Sequence, residues 1–263
     1  MAGKTALVLS AGGMFGAYQA GAWSVLGKHF QPDIVVGTSV GALNAWAIAG
    51  GCSGEDLVRS WTDPVAAAFL EFRVPLPPWR GFFEPEAFRT RVDNLFFRYT
   101  PRVPVGIVVT DLFRLRSRLV QTNEITARHL AAACAVPGGF PPVRVDDLWC
   151  ADGGLLGALP LWGAVEMGAT RAIAINALPL LPSRVLRGLA QTVRWLSREK
   201  KSAGGIDVSV LAPERPLGTI SESTRWNRET LQRWIEAGAD DAQRAISSGV
   251  LQDISAPAKR VLQ

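Results

Sequence analysis

Histidine is scarce in this chain of 263 residues: only His29 and His129 occur. A catalytic relay of serine, acid and histidine therefore has almost no room to form. Cysteine is scarce as well. Cys52, Cys134 and Cys150 are odd in number and lack metal-ligand spacing, so reduced, buried thiols in a cytoplasmic protein are expected, with no metal and no cofactor. No apolar run approaches the ~18 residues of a membrane span. Met1-Ala2-Gly3-Lys4 leads straight into a strand-like run, so the expectation is no signal peptide and no transmembrane segment. Neither sign of charge dominates. Lys and Arg number 28 against 23 Asp and Glu, and the net charge of +5 suits peripheral contact with an anionic inner membrane surface but carries no nucleic-acid motif. Oligomeric state is not encoded in any of these features.

The glycines are arranged to more purpose. Gly37-Thr38-Ser39-Val40-Gly41 lies between the β-branched run Asp33-Ile34-Val35-Val36 and the apolar, helix-length run Ala42–Ala49. A G-x-S-x-G between strand and helix is the signature of a nucleophile elbow, a sharp turn that holds serine in a strained backbone conformation with its hydroxyl exposed. The following helix brings its positive end beneath that serine. The pattern implies a serine acyl hydrolase.

On such an elbow a triad runs serine, acid, histidine. No histidine follows His129, which lies in the helix-like stretch 126–132, so a triad would have to use an acid among Asp56, Asp63, Asp93 and Asp111. Asp152-Gly153-Gly154 offers another partner. It follows the apolar run Leu148-Trp149-Cys150-Ala151, and its glycines permit a tight turn around the carboxylate. A free aspartate, with a pKa of about 3.9, is a poor base at neutral pH. Desolvation raises that value, and a hydrogen bond to the serine hydroxyl supplies proximity.

A third glycine turn, Ala11-Gly12-Gly13-Met14-Phe15-Gly16, separates the apolar run Thr5–Ser10 from a helix-like stretch, 17–26. Its spacing approximates a dinucleotide-binding turn, but the first glycine is missing. The acid expected at the end of the second strand is also missing, since Asp33 stands at that strand's beginning.

Taken in order, the glycine-rich first turn, G-x-S-x-G, the segment Ala135-Val136-Pro137-Gly138-Gly139-Phe140-Pro141-Pro142-Val143 and Asp-Gly-Gly resemble the patatin-like phospholipase family over residues 4–180. The resemblance implies a three-layer α/β/α fold with a largely parallel central sheet and a nucleophile elbow. It also implies a lipid acyl hydrolase of phospholipase A, lysophospholipase or esterase type, cleaving carboxylic esters without metal or cofactor. Ser39 would be the nucleophile and Asp152 the base of a Ser-Asp dyad. N–H groups of Gly12, Gly13 and Met14 would form the oxyanion hole, and Gly16, Gly37, Gly41, Gly153 and Gly154 complete the motifs. Two positions depart from the family pattern: Ala11 replaces a usual glycine and Phe15 a usual Arg or Lys. Phe15 removes a cation, and the expectation is a preference for neutral or less charged esters. A catalytically inactive lipid-binding or regulatory relative is the alternative.

The remaining expectations concern organisation. With 48% apolar and 19% charged residues, the chain fits one domain over 1–263, with a motif-bearing core at 4–180 and a helical or irregular part at 181–263. Further strands are expected at 103–110 and 171–176, within a largely parallel sheet covered on both faces. Asp111, ending the first of these, is expected to be structural or to support the site. Aromatic and proline residues crowd 68–104, which reads either as core packing or as a lid over an acyl-chain groove. Residues 183–201 have apolar and basic stripes of an amphipathic helix. Trp226, Trp234 and Ile235 are expected in a C-terminal packing helix.

Overall fold

Successive side chains of a strand face opposite sides of a sheet. In Ala6-Leu7-Val8-Leu9 both sets are apolar, so both faces of this strand require cover. The computed structural model describes residues 3–63, 85–179 and 204–249. In it the strand β1 (Lys4–Leu9) is central and its last four residues are fully buried. Parallel neighbours flank it: β2 (Ile34–Thr38) on one side and β7 (Ala169–Ile175) on the other. Beyond β2 lies β3 (Val105–Asp111), and beyond β7 lies β8 (Asp207–Leu211), both again parallel. Antiparallel strands β4 (Arg116–Gln121), β5 (Val143–Val145) and β6 (Leu148–Asp152) complete an eight-stranded mixed sheet around β3. Strand β3 begins two residues later than the sequence suggests because Pro104 has no N–H to give a ladder; its carbonyl instead accepts from Val35 N–H at 2.9 Å.

The alternation divides the core in two. Leu7, Leu9 and Val35 face the larger cluster, with apolar residues of α1 (Gly16–Leu26), α2 (Val40–Ala49), α3 (Gly54–Thr62), α4 (Pro85–Arg98) and α5 (Ala127–Ala133). Ala6, Val8, Ile34 and Val36 face the other side, covered by α6 (Leu161–Glu166) through Ala164. After the short helix α7 (Ile220–Ser223), the long helix α8 (Arg228–Ser247) returns to the larger cluster and packs along α1, burying Leu231, Trp234 and Ile235. Trp226 precedes this helix and donates its indole N–H to Trp61 carbonyl at 3.3 Å.

Strand β3 carries the arrangement that matters most. Its one edge is filled by β4 from Gly106 to Asp111. The other edge is shared: β2 pairs along Val105–Val108 and β6 along Val109–Asp111. Thr38 lies opposite Val108 and Asp152 opposite Val109. The end of β2 and the end of β6 therefore abut, and residues far apart in sequence meet there.

Candidate active site

Where β2 stops, the chain turns sharply. Ser39 has φ 55° and ψ −134°, an uncommon conformation for a residue with a side chain, and α2 begins at the next residue. The flanking glycines are required by contact. A β-carbon on Gly41 would lie 2.5 Å from Ser10 carbonyl oxygen and 2.6 Å from that of Leu9, and one on Gly37 would strike the carbonyl of Gly41. The turn thus nests against the end of β1, and Ser39 is 6% exposed.

Asp152 is held at its backbone and at one carboxyl oxygen. Its N–H donates to Ala135 carbonyl (3.0 Å), its carbonyl accepts from Thr110 hydroxyl (2.9 Å), and Oδ1 accepts from Gly154 N–H (2.6 Å). Oδ2 is buried and has no hydrogen-bond partner among the described residues. Burial raises the Asp152 pKa to about 6, opposed by the hydroxyl of Ser39 and then by Gly154 N–H. The hydroxyl of Ser39 is thus close enough to the carboxyl to act on its pKa. Gly153 fits against Val108 carbonyl and Thr38 hydroxyl, and Gly154 against Ala11, where a β-carbon would approach to 2.9 Å.

The first glycine turn forms a short 3-10 segment at Gly13–Phe15. N–H groups on either side are used: Ser10 donates to Ile175 (3.1 Å), Ala11 to Ala158 (2.8 Å) and Phe15 to Gly12 (3.1 Å). Among the described residues, no acceptor takes the N–H groups of Gly12, Gly13 or Met14. Three consecutive free donors can serve a developing oxyanion. Gly13 has φ +56°, and a β-carbon there would lie 2.5 Å from Ser223 carbonyl. Ala11 does not have positive φ, so the alanine is accommodated without strain. Gly16 lies against the Trp61 ring and Val40.

Phe15 is 2% exposed, its ring edge-on to Trp234 with centroids 4.8 Å apart. It joins the first turn to α8 in the core. Only the sequence-distant partner reveals this.

His129 is also committed elsewhere. Its Nδ1 accepts from Thr126 N–H at 3.2 Å, and Nε2 lies 3.1 Å from Asp146 Oδ2, which Arg118 approaches to 2.9 Å. Burial lowers the His129 pKa, partly offset by Asp146, so at neutral pH Nε2–H donates. Asp111 takes Phe113 N–H (3.0 Å), Arg114 N–H (3.1 Å) and the Arg114 guanidinium (3.0 Å), a structural use. Asp33 receives Thr5 N–H at 2.8 Å, at the start of β2. Neither a His129 triad nor a dinucleotide-binding acid is assembled from these groups. Among the described residues no three His, Cys, Asp or Glu side chains converge as a metal site, and the three thiols are free and buried.

Of the aromatic segment 68–104, residues 68–84 lie outside the described residues, as does the amphipathic stretch 183–201. The rest is mostly packed. In α4, Phe88 stacks on Phe140 (4.5 Å) and Phe96 on Trp46 (4.9 Å), whereas Phe97 is 81% exposed. A groove lined by Phe88, Ala131, Ala135, Phe140 and Pro141 borders the segment whose carbonyl holds Asp152. Gln19 and Asn44 form no part of the sequence-based expectations, although each is a buried amide in a largely apolar helix, which is a legible signal.

Known proteins fit this geometry. A family model for patatin-like phospholipase matches residues 7–165, more than half of the chain. An uncharacterised NTE family protein of Mycobacterium bovis is 28% identical over 216 residues, covering 78% of this chain. One of Mycobacterium tuberculosis gives the same figures. The chain spans 58% of the length of these relatives. Among solved structures, VipD from Legionella pneumophila superimposes with a TM-score of 0.59 at 15% identity, covering 94% of this chain and 67% of that one. This likeness bears on the fold. No helix among the described residues is long and apolar enough to cross a membrane. The elbow at Ser39, the Asp-Gly-Gly turn abutting it and the matched span together make this chain a member of the patatin-like phospholipase family.

Proposed function

We propose that the chain hydrolyses carboxylic esters of lipids through an acyl-enzyme on Ser39, with Asp152 as the base. The observation that carries this reading is the shared edge of β3. It sets a strained serine beside a buried carboxyl whose second oxygen is unpaired and whose pKa is raised to about 6. At neutral pH such a carboxyl is mostly ionised yet far more basic than a solvated aspartate. Ser39 Oγ attacks the ester carbonyl and its proton passes to Asp152 Oδ2. The oxyanion is received by N–H groups of Gly12, Gly13 and Met14. Collapse expels the alcohol, which takes the proton. Asp152 then deprotonates water, the hydroxide attacks the acyl carbonyl, and collapse releases the fatty acid as Asp152 returns the proton to Ser39 Oγ.

Three free buried thiols suit a reducing cytoplasmic location, and the net charge of +5 suits peripheral contact with an anionic surface. Labelling by a fluorophosphonate, mapped by peptide mass spectrometry, tests the core of the proposal without choosing a substrate. Label on Ser39 that is strongly reduced in Asp152→Asn is the expected result. Absence of label, with lipid or detergent present and a control hydrolase reacting, would favour a binding protein instead.

A further inference from the structure

A buried carboxamide is costly unless each donor and acceptor is matched. Gln19 in α1 is fully buried and Asn44 in α2 is 3% exposed, and together their matching is complete. Gln19 Nε2 donates to Ser10 carbonyl at 2.7 Å and reaches Ser10 Oγ at 3.5 Å. Asn44 Nδ2 donates to Gln19 Oε1 (2.9 Å) and to Gly16 carbonyl (3.1 Å). Trp61 Nε1–H, from α3, donates to Asn44 Oδ1 at 3.1 Å. Ser10 Oγ in turn donates to Ala11 carbonyl (2.8 Å) and accepts from Ala177 N–H (2.9 Å).

The attachment points are informative. Ser10 and Gly16 bracket Gly12–Met14, the three residues whose N–H groups are free. Asn44 stands in the helix that begins directly after Ser39, and Ala42 N–H of that helix already binds Ser39 carbonyl at 2.8 Å. The relay therefore spans from both ends of the donor turn to the helix that carries the nucleophile. Amide dipoles fully satisfied in a buried setting have one geometry, so the span is rigid.

We propose that Gln19 and Asn44 are positioning residues that set the spacing between the oxyanion donors and Ser39, with Trp61 fixing the orientation of Asn44. For its catalytic consequence this rests on the hydrolase reading above; for its mechanical consequence it rests on the hydrogen bonds alone. Oxyanion donors act over ~3 Å, and a misplacement of about 1 Å can cost on the order of 100-fold.

The test uses the full chain and three variants. Asn44→Asp keeps the shape but removes both donors, turning a carboxylate toward the Gly16 carbonyl and Gln19 Oε1. Trp61→Phe removes one donor together with the Cζ2–Cη2 edge of the indole that lies against Gly16. Tyr18→Phe is the control: it deletes a part-buried bond on α1, from Tyr18 hydroxyl to Asp241 (2.7 Å), directed to α8 rather than to the turn. Turnover of a short, water-soluble p-nitrophenyl ester is measured with hydrogen exchange of the bonded N–H groups of Ser10, Ala11, Phe15 and Gly16.

The expected result for Asn44→Asp is a kcat lower by roughly 10- to 100-fold with KM within about twofold of wild type, and faster exchange around the turn. Trp61→Phe shifts both readouts in the same direction by less. Tyr18→Phe lowers the melting temperature while leaving kcat and exchange at the turn unchanged. If Asn44→Asp loses no more kcat than Tyr18→Phe, or leaves exchange at the turn unaltered, the relay is only structural and the proposal is overturned. A wild type that does not turn over the ester refutes the hydrolase reading instead. Exchange then decides the relay alone: acceleration in Asn44→Asp upholds it, and no change overturns it.

Discussion

Asp146 and Asp152 flank one short strand, β6, and are electrostatic opposites. Asp146 sits in the turn before the strand, half-exposed and gripped by two donors. Slight burial works upward on its pKa, but hydrogen bonds from His129 and Arg118 outweigh it and hold the carboxyl below the ordinary range. Asp152 ends the strand buried, with no cation beside it and one oxygen unpaired among the described residues, and its pKa rises to about 6. Asp146 and His129 look like the acid and histidine of a familiar relay, yet they serve as a brace between α5 and the β5–β6 turn. On the hydrolase reading proposed above, Asp152 would be the better base, because burial raises its pKa while Asp146 is held low by its partners. Burial with few partners raises one carboxyl's pKa; exposure with charged partners lowers the other's.

The largest expected effect breaks the contrast by activity. Asp152→Asn should lower kcat by about 100- to 10,000-fold, the range of a general base, whereas Asp146→Asn should change turnover only a few-fold while weakening the brace. Steady-state turnover of one ester by both variants checks this. Comparable losses in the two would return His129 and Asp146 to the catalytic machinery. For wild type, the base form is lost on acidification, so kcat/KM should fall below about pH 6.

Stability should move the other way. Asp152 binds its proton more tightly in the folded chain, about pH 6, than in the unfolded one, about 3.9. Between those values the native state holds more protons, so stability falls as pH rises through the window. Above pH 7 the ionised group costs up to roughly 2–3 kcal/mol. Asp152→Asn should therefore be more stable than wild type at pH 8 by about that amount, with the gap closing near pH 4. Urea unfolding at both pH values measures it; an equal or lower stability at pH 8 would show that the carboxylate is solvated or paired in solution. His129 has the opposite sign. Its folded pKa is lowered by burial, so the native state binds fewer protons than the unfolded chain as pH falls below about 6.5, and stability declines. His129→Gln should flatten that acid limb without altering the alkaline one.

The parts of the site that were legible in the sequence are local ones. A strained serine between glycines, an Asp-Gly-Gly turn and a glycine turn before a helix each write their geometry within a few residues. The sheet was legible as a class, because β1 and β2 are apolar on both faces. The meeting of Ser39 with Asp152 was expected only through the family resemblance, since it depends on β2 and β6 sharing one edge of β3, and register is a property of packing. The packing of Phe15 was not legible for the same reason: its neighbour, Trp234, comes from a helix near the other end of the chain. In α4, Phe88 and Phe96 follow the core-packing alternative, their stacking partners being Phe140 and Trp46.

The smallest effect sharpens the comparison on β3 itself. Asp111 lies on the strand that sets Asp152 in place, directly opposite Cys150 of β6, yet it resembles Asp146 in being fully partnered. Burial pushes its pKa upward, and the Arg114 side chain, Arg114 N–H and Phe113 N–H outweigh it. Asp111→Asn keeps an amide oxygen for both backbone donors and loses only the charge facing Arg114, a side chain 64% exposed to solvent. Such a pair is worth about 0–1 kcal/mol, so unfolding stability should drop by less than about 1 kcal/mol and turnover should stay at the wild-type level. Asp111→Ala removes the acceptor for both N–H groups and should cost about 1–2 kcal/mol, again without touching kcat. If Asp111→Asn instead lost activity on the scale of Asp152→Asn, proximity to the β3 edge rather than the absence of partners would be what marks a catalytic carboxyl in this fold.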